Sequence, residues 1–130
     1  MAKQQQQKTT NQIEYAEQCA VMTWAEIQKN KYPELELLKG DMGGIRLSIG
    51  AVMKCKRAGC IRKGWPDIHL PVSRGGHHSL FIELKKPVGG TVSQDQKAVH
   101  RKLEAEGNKV VVARGCQAAI TALMDYLNLK

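Results

Sequence analysis

No stretch of this sequence is apolar for long enough to cross a membrane, since nothing in it approaches the ~20 residues that a span requires. The opening MAKQQQQKTTNQ has no apolar core either, so residues 1–12 read as a disordered lead-in and not as a signal peptide. Cys19, Cys55, Cys60 and Cys116 lack the two short pairs of a zinc knuckle. They also do not read as a disulfide framework in a chain long enough to bury its own core. No glycine-containing turn ends in Lys-Ser or Lys-Thr, which excludes a phosphate-binding loop of that type. No Ser or Cys stands in a triad-like arrangement. Acidic residues are missing altogether between Asp41 and Asp67.

Into that acid-free interval fall Arg46, Lys54, Lys56, Arg57, Arg62 and Lys63. A surface charged only for solubility mixes its signs. A one-sign stretch in a chain of net charge +8 instead points to a polyanion, nucleic acid above all.

The 130 residues, 42% of them hydrophobic, suit one globular domain, here drawn over 13–130. Residues 13–30 predict a helix with Ile13, Ala16, Ala20, Trp24 and Ile27 at helical spacing. Glu17 shares a face with Ile13, Ala20, Val21 and Trp24. A carboxylate there needs a cation, hydrogen-bond donors or a metal, unless it sits at an edge and reaches water. A short strand is expected at Leu35–Leu38 and a glycine turn at Gly40, Gly43 and Gly44. A basic helix follows over Ser48–Ala58, with Ile49, Val52 and Met53 inward. Ser93 and Gln96 have capping-box spacing and open a helix that Gly107 stops. KVVVA at 109–113 reads as a strand covered on both faces. Cys116, Ala119, Ile120, Leu123 and Leu127 form the stripe of a last helix. From residue 80 the order strand, helix, strand, helix is an α/β pattern.

The centre of the chain is GWPDIHLPVSRGGHHSLFIELKK, residues 64–86. It reads as two short strands joined by the SRGGHH turn. Leu80, Ile82 and Leu84 alternate with Phe81, Glu83 and Lys85, so the acid and the lysine share one face. Asp67 lies near the start of the partner strand. Carboxylates at this spacing suit Mg²⁺ or Mn²⁺, because hard cations take oxygen ligands. Asp67 and Glu83 are then metal ligands, the Leu84 backbone carbonyl is a third donor, and Glu17 binds directly or through water. Lys85 stands beside the metal-bound water. Gln96 either holds that water or the lysine, or only caps its helix. His69, His77 and His78 read as surface residues and Trp24 as core, while Trp65 reads as core or as a ring that packs under the metal site or stacks on a base.

These segments together resemble the VRR-NUC nucleases, a branch of the PD…ExK superfamily. The resemblance runs from Tyr15 to Leu127 and rests on AEQCAVMTW, GWPDIHLP, LFIELKKPVGGTVSQDQ, LEAEGNKVVVARG and AAITALMDYL. It implies a restriction-endonuclease-like core with a mixed central sheet flanked by helices. It implies catalytic roles for Glu17, Asp67, Glu83, Lys85 and Gln96, and a Mg²⁺- or Mn²⁺-dependent endonuclease. Relatives of the stand-alone phage and bacterial type resemble Holliday-junction resolvases and tend to act as homodimers on branched or structured DNA. The implied setting is the cytoplasm, that of a bacterial host if the chain is phage-encoded. One departure is KGDMGGIR, where many relatives carry an Ile-Pro-Asn-Gly-like segment. A nucleic-acid-binding protein on a nuclease-like fold, without catalysis, is the competing reading. A basic structural protein with no nucleic-acid role is a third.

Overall fold

The computed structural model describes residues 2–130, with side-chain surroundings given for 12–130 apart from Gly44. Helix α1 spans Ala2–Gln28. Its backbone therefore takes in the stretch read as a lead-in, except Met1, which lies outside the described residues. A 3-10 turn at Pro33–Leu37 leads to strand β1, Lys39–Gly40. A second such turn, Met42–Gly44, precedes helix α2, Ile49–Arg57. Strands β2 (Ile68–Leu70) and β3 (Leu80–Lys85) follow, then helix α3 (Gln94–Ala105). Strand β4 (Lys109–Arg114) and helix α4 (Cys116–Leu127) complete the order.

The sheet runs β1-β2-β3-β4. Pairing is antiparallel up to β3 and parallel between β3 and β4, so the expected hairpin and the expected mixed α/β sheet are both present. Ile68 pairs with Ile82 and Leu70 with Leu80, which puts Asp67 one step further on, across from Glu83. The alternation of β3 divides the sheet into two faces. Ile68, Leu70, Leu80, Ile82 and Leu84 join Val21 and Ala25 of α1 and Ala119 and Leu123 of α4 in one apolar core. Each such Leu or Ile stabilises the fold by roughly 1.5–3 kcal/mol when fully buried. Phe81, Glu83 and Lys85 lie on the other face, toward α3, and are buried as well.

Four expectations are corrected. Leu35–Leu38 is not a strand. Pro33 stands in the first turn of a 3-10 helix, where its fixed φ suits a turn, and pairing begins only at Lys39. The α1 stripe is rotated: Val21 is buried as expected and Ala25 joins it, whereas Ile13 and Ile27 are exposed, Ile27 by 69%. Helix α2 buries none of its residues, and Ile49 is 83% exposed, so its hydrophobic spacing marks no core contact. Strand β4 is an edge strand, with partner β3 alone, and Val112 is accordingly exposed.

Candidate active site

The buried acid and lysine of β3 open onto a cavity of about 530 Å³ at the end of the sheet. The strand offers little freedom there, because every residue from Leu80 to Lys85 is buried. Asp67 is tied to it directly: its Oδ2 accepts the Leu84 backbone N–H over 2.7 Å. The same residue's carbonyl accepts the Asp41 N–H over 2.7 Å, which draws the end of β1 to the cavity wall. Arg62, Lys63 and Lys86 add cations around these carboxylates.

Helix α3 reaches the cavity through its first turns. Ser93 Oγ accepts the Gln96 N–H and Gln96 Oε1 accepts the Ser93 N–H, a reciprocal capping box. The same Gln96 oxygen accepts from Lys85 Nζ over 3.1 Å. Capping and holding the lysine, set apart as alternatives above, are thus one arrangement. Gly64 lets the chain approach this helix end. Its φ is +81°, and a Cβ there would stand 2.5 Å from the Asp95 carbonyl oxygen, so only glycine fits.

One turn further along α3, His100 Nε2 stands 3.2 Å from Glu83 Oε1. Burial holds the His100 imidazole below its ordinary pKa. Glu83 moves the other way, to about 10, by burial first and by the hydrogen bond and charge of Asp67 next, with Lys85 opposing. Near neutral pH this contact is therefore a hydrogen bond between uncharged groups, with Glu83 keeping its proton beside Asp67. Burial also raises Glu14, partly offset by the Lys85 ammonium, and raises Asp41.

The fold agrees with that of a solved structure described as a VRR_NUC domain protein. The two share 32% sequence identity over 90% of this chain and 89% of that one, with a TM-score of 0.73. The chain belongs to the VRR_NUC domain family. No family model matches it, and neither does any curated protein. The VRR_NUC likeness covers the whole restriction-endonuclease-like architecture, a mixed sheet with helices on both faces.

Of the residues expected in the site, Asp67, Glu83, Lys85 and Gln96 line this one cavity, with Arg62 and Lys63. Glu17 does not line it. Its Oε2 accepts the Cys116 N–H over 2.5 Å at the start of α4. The α1 carboxylate at the cavity is Glu14, so the placing of Glu17 is corrected by one helical turn. Lys56 and Arg57 line a neighbouring groove, while Arg46 and Lys54 are exposed and line neither. His69 is half-buried instead of exposed, stacked on Phe81 at 4.0 Å and hydrogen-bonded to Ser79. His100 was not among the expected residues. Its signal was position: it follows Gln96 by four residues and so shares its helix face.

The donors suit a hard divalent cation. Among the described residues, no group of three or more His, Cys, Asp and Glu closes on one point. Asp67 and Glu83 do approach each other, and the Asp67 charge is one cause that raises Glu83, a cause a bound cation would relieve. Oxygen donors alone fit Mg²⁺ or Mn²⁺, with water completing the shell.

Proposed function

We propose that this protein is a Mg²⁺- or Mn²⁺-dependent endonuclease that hydrolyses phosphodiester bonds in DNA, structured or branched DNA in particular. The observation that carries the reading is the convergence of Asp67, the buried Glu83 and the buried, Gln96-held Lys85 on one cavity edged by Arg62 and Lys63. Asp67, Glu83 and the Leu84 carbonyl would hold the cation. When bound, it supplies positive charge to the phosphoryl oxygen and makes water a better nucleophile.

The chain's own groups do the rest. Lys85 has three N–H donors and gives one to Gln96, which leaves others for a water or a phosphate oxygen. His100 fixes the orientation of the Glu83 carboxyl. Arg62 and Lys63 attract the DNA backbone to the cavity mouth. Glu14 adds negative charge beside Lys85 from α1. The proposal includes a homodimer, which sedimentation would detect.

A cleavage panel over linear, flapped and four-way DNA with Mn²⁺ tests the proposal. Lys85→Ala should lose turnover and keep its metal affinity, whereas Asp67→Ala should lose both. Normal cleavage by Lys85→Ala would refute the assigned roles. Binding of DNA without cleavage in any metal would favour the non-catalytic reading.

A further inference from the structure

Beside the cavity lies a groove of about 1170 Å³, between the 56–65 segment and α3. The two share Ile61, Arg62, Lys63 and Trp65, so the groove adjoins the cavity along this segment. Its size exceeds the ~300–1,000 Å³ usual for a small-ligand pocket, and it suits a piece of a polymer.

The groove is two-natured. Ile61, Trp65, Val99 and Leu103 form an apolar lining. Lys56, Arg57, Arg62, Lys63 and Lys102 edge it with positive charge, against the single acid Glu106. Lys63 is partly engaged by Asp95, 3.3 Å away, but both groups are well exposed. Trp65 is held by Phe81 in a T-shaped contact at 5.8 Å, and 36% of its surface stays open. A ring fixed on one side and open on another can receive a planar group.

We infer that this groove seats an unpaired DNA strand passing to or from the cavity, with a base laid on Trp65 and phosphates along Lys102 and the 56–63 cations. Duplex DNA keeps its bases stacked inside and presents phosphate and sugar, for which cations alone suffice. An aromatic ring in an apolar lining beside those cations offers unpaired bases a stacking platform that a duplex, with its bases already stacked, uses far less. The inference rests on the DNA nuclease reading for its choice of DNA and names the substrate feature that the site selects. A branch or flap brings an unpaired strand next to the scissile bond.

The test needs no cleavage. In EDTA, a short oligo-dT should quench tryptophan fluorescence and bind more tightly than a blunt hairpin duplex carrying the same number of phosphates. Trp65→Leu should weaken oligo-dT binding about tenfold and abolish the quench, leaving only Trp24 emission. Lys102→Glu, at an exposed helical position, should weaken binding severalfold and flatten its salt dependence. It keeps the test decisive should Trp65→Leu fail to fold. Oligo-dT binding unchanged in both variants, or duplex displacing it on equal terms, would overturn the inference. Failure of wild-type protein to cut any DNA, with oligo-dT binding as stated, would remove the nuclease reading and leave the groove standing.

Discussion

His100 Nε2 and Glu83 Oε1 face each other at 3.2 Å between buried side chains from opposite layers, helix and sheet. The pair links the acid of β3 to the same helix whose first turn holds Lys85 through Gln96. One helix thus positions both members of the Glu83/Lys85 couple. Truncating His100 leaves Glu83 without its buried partner, a loss of about 1–3 kcal/mol. His100→Ala should also weaken Mn²⁺ binding about 10- to 100-fold, the scale of losing a group that orients a metal ligand. His100→Gln, which can still hydrogen-bond, should recover part of it. Calorimetric Mn²⁺ titration checks this, and unchanged affinity in His100→Ala would sink the role.

Metal-free protein should lose stability as pH rises. The folded-state pKa of Glu83, about 10, lies above its ordinary 4.5, so between these values the folded chain binds the extra proton. Stability from this group is full below the unfolded value and is lost as pH climbs through the window. His100 and His69 act oppositely, since their lowered pKa values add stability as pH rises through their ordinary 6.5. From about pH 7 to about pH 8.5 the Glu83 effect stands clear, at roughly 1 kcal/mol per pH unit. Thermal unfolding in EDTA should show this fall, and Glu83→Gln should flatten it. Mn²⁺ should reverse it, since binding requires the proton to leave. A flat wild-type profile would contradict the raised pKa of Glu83.

The two acids of α1 should separate cleanly by experiment. Glu14 lines the cavity, so Glu14→Gln should reduce metal-dependent cleavage with little change in melting temperature. Glu17 accepts the first N–H of α4, where a negative charge also meets the positive end of the helix. Glu17→Gln should therefore leave cleavage near wild type, while Glu17→Ala costs ~1 kcal/mol of stability. Unfolding curves and initial rates on the same preparations settle which acid belongs to which task. A dead, fully stable Glu17→Gln would reverse the assignment.

The difference between these acids shows what was legible in the sequence and what was not. Alternation in LFIELK and the spacing to Asp67 set the hairpin and its acid face, because a strand's period permits only two sides. Helix α1 was harder. Its exposed Ile13, Ala16, Ala20 and Ile27 are at helical spacing and outnumber the buried Val21 and Ala25, so apolar content pointed to the wrong stripe. That rotation moved the expected acid from Glu14 to Glu17. Helix α2 misled in the same way, since period alone does not say whether a partner exists. His100 stayed hidden because a lone histidine on a helix carries no motif, and only the packing of α3 on β3 brings it to Glu83.

Gln96 offers the sharpest separation of folding from chemistry, since one oxygen serves both. Its Oε1 accepts the Ser93 N–H over 2.9 Å and the Lys85 ammonium over 3.1 Å. Gln96→Ala removes half of the capping box, at ~1 kcal/mol, and leaves the lysine free to swing. Its kcat should fall by roughly ten- to a hundredfold, the scale of a misplaced reacting group, with KM changed less. Gln96→Glu keeps both acceptor contacts and places a carboxylate near the N-terminus of α3, which favours the helix. It should melt at or above the wild-type temperature. It should nevertheless cleave slowly, because a carboxylate beside Lys85 holds the ammonium more tightly than an amide does and draws its charge away from the phosphate. A stable Gln96→Glu with full turnover would reduce Gln96 to a helix cap. A stable but slow one assigns the lysine's placement to the amide.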